Sequence, residues 1–162
     1  RSRTSIRAAC LYLTMQAAII MPIKGRTKVD KALQQTKAKA SDDIRGVYFI
    51  GLSAIIKQTP VDEGRARNNW FLTIGMPFSL TSGRGASKSG SSSFRSLQEI
   101  PEYVMNKKVY FTNNLPYIET LEYGRYPNPN KGTETAGGFS NQAQGGWVRT
   151  TLIAMQNKIK TL

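Results

Sequence analysis

Between Lys28 and Lys57 the apolar positions Val29, Leu33, Ala40, Ile44, Val47, Tyr48, Gly51, Leu52, Ile55 and Ile56 recur every three or four residues, with Lys31, Lys37, Lys39, Asp42, Asp43 and Arg45 mostly between them. That period lays one apolar stripe along a helix, so the pattern predicts a single long amphipathic helix. Its first half is weakly apolar and rich in Lys, Gln and Ala, whereas the large residues gather in the second half, so only the second half has to enter a core. Gly46 and Gly51 weaken a helix but allow a packed element to come close. Thr59-Pro60 sets the end, because the residue before a proline is pushed out of the helical region.

The rest of the chain supplies strands, loops and a closing helix. Trp70 to Phe78 is rich in β-branched and aromatic residues, and Lys107 to Asn113 puts Val109 and Phe111 on one face with Tyr110 on the other; both suit strands. Thr81 to Ser93 holds Ser, Gly, Arg and Lys without a large apolar residue, which predicts a mobile loop. Ser96 to Asn106 reads as a short helix or a turn around Pro101. Pro116 to Tyr123 predicts a helical turn closed by Gly124. Arg125 to Gly146 is a second long loop rich in glycine, with Pro127 and Pro129. Trp147 to Leu162 closes the chain as an amphipathic helix, with Trp147, Val148, Leu152, Met155 and Ile159 on one side. The order predicts an α+β domain: a long N-terminal helix and a C-terminal helix packed on a small antiparallel sheet, with two long loops. Loops of that length in a compact domain usually bind something or become ordered at an interface. At 162 residues one domain at 28–162, preceded by an extension or arm at 1–27, is the expected organisation.

The inventory of reactive side chains is short. Histidine is absent and Cys10 is the single cysteine, which excludes a Cys/His zinc site, an internal disulfide, a Cys-His pair and a Ser-His-Asp triad. Asp62 beside Glu63, and Glu119 three residues before Glu122, are the nearest approach to an acid-base pair. Neighbours in sequence diverge in direction, and the second pair suits a solvated helical face equally well. Gly83, Gly85 and the Gly137-Gly138 pair lack the spacing of a phosphate-binding loop. No enzyme and no cofactor is expected. The 23 Lys and Arg against 10 Asp and Glu give a formal charge of +13, a positive field that draws polyanions and weakens with salt. The cations are spread along the chain, which supports proximity to DNA better than sequence-specific readout.

Residues 1 to 20 carry Arg1, Arg3 and Arg7 and then a mostly apolar stretch from Ala8 to Ile20. A secretory signal has this order, but Thr14 and Gln16 interrupt the stretch and no small-x-small cleavage site follows. The stretch is also short of the roughly 20 residues a membrane-crossing helix needs. Met21-Pro22-Ile23-Lys24-Gly25-Arg26 reads as a natural start. An arm packed on a neighbouring subunit, or sequence translated upstream of the usual start, is the expectation.

Two segments hold the most specific information. In Thr59-Pro60-Val61-Asp62-Glu63-Gly64-Arg65-Ala66-Arg67-Asn68-Asn69 the proline fixes the entry, Asp62 can cap backbone amides and Gly64 permits a left-handed turn, leaving Arg65 and Arg67 on one side of the chain. The second segment runs from Asn114-Leu115-Pro116-Tyr117 to Leu121-Glu122-Tyr123-Gly124. Together, in this order and with a helix before and after them, they resemble the neck or tail-completion proteins of long-tailed bacteriophages, which tend to carry a Pro-Val-Asp-Thr-Gly turn and a later Asn-Tyr-Glu-Gly segment. The likeness covers roughly Lys28 to Leu162. Glu63 stands where threonine is common, Ala66 replaces a larger apolar residue, the 79–95 loop is long, and residues 1–20 have no counterpart.

The resemblance implies a structural virion protein, assembled in the host cytoplasm, that joins head-completion or connector proteins to the tail terminator or tail tube. It implies a ring, of six copies in this family, around the channel through which genomic DNA passes, without a membrane. On that basis Asp62, Arg65, Arg67, Tyr117, Glu122 and Tyr123 are the candidate subunit-interface residues, and Arg84, Lys88 and Arg95 the candidates to face the DNA. The rival from another class is a basic nucleic-acid-binding protein acting outside a virion.

Overall fold

The computed structural model describes residues 25–80, 83–124, 138–142 and 145–162. Residues 1–24 of the expected arm and most of the 125–146 loop lie outside the described residues.

Helix α1 runs from Arg26 to Gln58, 33 residues. Residues 25–39 are exposed throughout, and burial begins only at Ser41, Val47, Gly51, Leu52, Ile55 and Ile56, as the uneven apolar pattern requires. Thr59 leaves the helical region at φ −59°, ψ 125° and caps the last turn, its amide reaching the carbonyls of Ile55 and Ile56. The Thr59 hydroxyl donates to the Ile55 carbonyl at 2.8 Å and accepts from the Trp70 indole at 2.9 Å. The end of α1 is thereby tied to the start of the sheet.

A short helix α2 (Arg65–Asn68) leads into β1 (Phe71–Ile74), which pairs antiparallel with β2 (Val109–Thr112) in the register Phe71 to Thr112 and Ile74 to Val109. Both strands are shorter than the stretches that suit them. Gly75, at φ 86°, turns the chain out of β1 as its amide donates to the Lys108 carbonyl at 2.8 Å. Leu72 is buried, and Trp70 stacks on Phe111 with ring centroids 4.9 Å apart.

Between the strands come α3 (Ser91–Ser96) and a single 3-10 turn at Leu97–Glu99. The Ser-rich stretch thus forms a helix where the sequence reads as loop, because Ser93 and Ser96 are small enough to be buried against Trp70 and bond to its backbone. Helix α4 (Ile118–Tyr123) ends at Gly124 in the left-handed region, φ 67°. Helix α5 (Trp147–Lys160) closes the fold and packs along the second half of α1.

Trp147, Ile55, Ile56, Leu72 and Leu97 are the most deeply buried apolar side chains, so the core lies where α1, α5, the sheet and the 3-10 turn meet. The two glycines of α1 differ in use. A Cβ at Gly51 would come within 2.2 Å of the Met155 sulfur, so this glycine makes the α1–α5 approach possible, whereas Gly46 faces open space and supports no packing. The mixed architecture agrees with the sequence expectation of two helices on a small antiparallel sheet.

Candidate functional site

Pro60 follows α1 directly, and the turn Val61–Gly64 bends the chain into α2. Gly64 has φ 86°, and a Cβ there would overlap the backbone between Ser87 and Lys88. Glycine is therefore required twice over, for the left-handed conformation and for the close passage of the 83–90 segment. The Val61 amide donates to the Gln142 side-chain oxygen at 2.8 Å, which holds the far side of the turn.

The two informative segments meet here. Pro60, Val61, Asp62, Glu63, Gly64, Arg65 and Ala66 from the first, and Tyr117 and Leu121 from the second, line one cleft of about 540 Å³, completed by Ser140 and Gln142. Its walls are mixed: Pro60, Val61, Ala66 and Leu121 are apolar, and Asp62, Glu63 and Arg65 carry charge at exposed positions. Burial raises the Tyr117 phenol above its ordinary pKa; Arg65 pulls it back down and Glu63 adds to the rise. Tyr117 therefore stays a neutral donor at the cleft wall at physiological pH. Among the described residues no cluster of carboxylates, Cys or His could hold a metal ion. What the cleft offers is an apolar wall beside three charged residues, Asp62 and Glu63 against Arg65, with one negative charge in excess.

Three candidate interface residues, Asp62, Arg65 and Tyr117, lie at this cleft. The other three are engaged elsewhere. Arg67 does not stand beside Arg65, because residues 65–68 are helical and separate the two side chains. Its guanidinium donates to the carbonyls of Lys57 at 2.8 Å, Thr59 at 2.9 and 3.3 Å and Lys88 at 3.1 Å. Partial burial lowers its pKa from the usual arginine value. Glu122, whose spacing from Glu119 equally suits a solvated face, is only 2 % exposed. Its two carboxylate oxygens accept from the backbone amides of Val148 and Arg149, each at 3.1 Å, and from the Arg149 side chain, also at 3.1 Å. The side chain caps α5 from a different helix, where the positive end of the helix dipole favours a carboxylate. Tyr123 lies under the Arg149 guanidinium, 4.5 Å from ring centroid to cation. Asp62 does not cap α2, whose N-cap is Gly64 without a side-chain hydrogen bond.

Among the DNA-facing candidates, Lys88 and Arg95 are exposed, and Arg84 is turned inward. The Arg84 guanidinium lies 4.1 Å above the Phe71 ring and donates to the Trp70 carbonyl at 3.1 Å. Burial lowers its pKa, and Glu99 opposes that shift. The 83–90 part of the expected loop is fastened to the turn that follows α1 by side-chain hydrogen bonds. Asn69 accepts from the Arg84 amide and donates to its carbonyl, Asn68 donates to Gly85 and accepts from Ser92, and Arg67 holds Lys88. The Asn68-Asn69 pair after the turn was the sequence signal for this clamp, since asparagine serves loop backbone as donor and acceptor at once. Ser140 and Gln142 sit in a segment without any local pattern that marks them. Compared with protein-family models, curated proteins and solved structures, the chain gives no match.

Proposed function

We propose that the protein is a structural subunit of the neck of a long-tailed bacteriophage, joining head-completion proteins to the tail tube as a ring around the DNA channel. The observation that carries the reading is that the two segments on which the likeness rests, far apart in sequence, converge on one cleft. Two segments that together resemble a family pattern and meet on one surface are suited to hold a partner. The formal charge of +13 suits a wall beside packaged DNA, because such a field attracts phosphate without reading bases. Exposed apolar residues on α1, Val29 and Leu33 among them, suit a subunit completed by its neighbours.

The same charge favours a second reading, a basic protein that binds nucleic acid on its own. One preparation separates the two. The full chain is measured for mass and for duplex-DNA binding across a salt series. A neck subunit self-associates, or joins connector or tail proteins, and binds DNA weakly as a single copy. Tight binding by a monomer, falling steeply as salt rises, supports the rival.

A further inference from the structure

We infer that the cleft at Pro60–Ala66 and Tyr117 receives the exposed, basic half of α1, residues 26–39, from a second copy of the chain. The inference rests on the ring reading above and names the two surfaces that meet in it.

The first surface is a helix half that is exposed along residues 26–39 and enters no core among the described residues. Val29 and Leu33 are 67 % and 49 % exposed, yet they continue the line of Ala40, Ile44 and Val47 that enters the core further along. Helical segments are marginal in water without an apolar face to bury, so this half gains from a cover. The segment carries Arg26, Lys28, Lys31, Lys37 and Lys39 against Asp30 alone, and Asp30 pairs with Arg26 at 3.9 Å. Pairing two such halves side by side would set cations against cations, which disfavours α1 against α1.

The second surface has the opposite sign, since Asp62 and Glu63 outnumber Arg65 in its lining. Asp62 and Glu63 are exposed and have no ion pair among the described residues, on a chain whose formal charge is +13. Beside them Val61, Pro60 and Leu121 form an apolar wall. Val29 and Leu33, flanked by Lys28 and Lys37, match that combination of a carboxylate pair and an apolar shelf.

The helix itself prevents the two surfaces from meeting within one copy. The cleft begins at Pro60, just past the end of α1, and Leu33 lies 25 residues before Gln58 on the same helix. That separation is roughly 35 Å along the axis, which a continuous helix does not fold back across. The contact is therefore between copies and joins unlike surfaces. Such a head-to-tail contact repeats from copy to copy, closing into a ring when the rotation allows.

The test uses the full chain with Cys10→Ser. Leu33→Cys and Val61→Cys are made in separate proteins, mixed and oxidised, and self-association is followed by sedimentation. The expected result is a disulfide-linked pair of one Leu33→Cys chain with one Val61→Cys chain, with little linkage in either protein alone. In the cysteine-free background, Lys28→Glu with Lys37→Glu, and Asp62→Lys with Glu63→Lys, each weaken self-association by about tenfold or more, and all four changes in one chain restore it. Linkage of Leu33→Cys to itself overturns the inference in favour of α1 pairing. Self-association with neither cross-link nor charge rescue overturns this contact but leaves the ring reading standing. A chain that stays monomeric at every concentration overturns the contact outright.

Discussion

Arg67 reaches back from α2 to Thr59 and donates to its carbonyl twice, through Nη2 at 2.9 Å and Nε at 3.3 Å. The last carbonyls of a helix lack partners within it, and the negative end of its dipole favours a cation there. With the further bonds to Lys57 and Lys88, one side chain closes α1 and fastens the 83–90 segment to it. The motif arginine offered as an interface candidate thus spends its guanidinium on the chain's own carbonyls, and of the two arginines Arg65 is the one that lines the cleft.

Replacing Arg67 with alanine should lower stability by about 2 kcal/mol, because three carbonyls lose a charged donor. Arg65→Ala should stay within about 0.5 kcal/mol, as a substitution at an exposed position whose side chain makes no capping hydrogen bond. Urea unfolding of both variants checks the contrast. Equal losses would mean that the Arg67 bonds contribute nothing net.

For Glu122→Ala the expected loss is about 2–3 kcal/mol, since two part-buried amides of the first turn of α5 lose a charged acceptor and Arg149 loses its partner. Glu122→Gln should lose less, because its side-chain oxygen still accepts one of those bonds. Thermal unfolding ranks the two. A Gln variant as unstable as the Ala variant would contradict a capping role.

The two glycines of α1 should respond in opposite directions. Gly46→Ala removes a helix-weakening residue in open space and should stabilise by up to about 1 kcal/mol. Gly51→Ala drives a methyl group into Met155 and should destabilise by about 1–3 kcal/mol. Stabilisation by both would show that α1 and α5 have room to separate.

Tyr117 gives a pH-dependent signature. Its pKa is raised in the folded chain, chiefly by burial, so the associated stability is complete below the ordinary tyrosine pKa and is lost as pH rises through the raised value. In a spectrophotometric titration, subtracting the Tyr117→Phe curve should isolate a phenol with a midpoint above 10. Arg65→Ala should move that midpoint further up and Glu63→Gln should move it down. Movement in the reverse sense for either variant would contradict the cleft electrostatics.

The helices were readable because their signals are local. The apolar period and Thr59-Pro60 bound α1, and Trp147 with Met155 marks the inner face of α5. The strands were readable in place but not in length, because Gly75 and pairing with β2 end β1 at Ile74. The site was half legible. Gly64 declares its turn in the sequence, and the Asp62, Arg65 and Tyr117 side chains do reach one cleft. The partners of Arg67 and Glu122 are set by tertiary contacts with Lys88 and with α5, and no spacing along the chain encodes them. The attachment of the 83–90 segment was hidden for the same reason. Its own residues bury little, and the order comes from Asn68 and Asn69 outside it.

A neck role requires that this chain be part of a virus particle. Gold-labelled antibody to the chain, imaged on negatively stained particles from cells that produce it, tests that most directly. A neck subunit gives label concentrated where the tail meets the head. Particles bare of label at that joint, with the protein recovered only in the particle-free fraction, would contradict it.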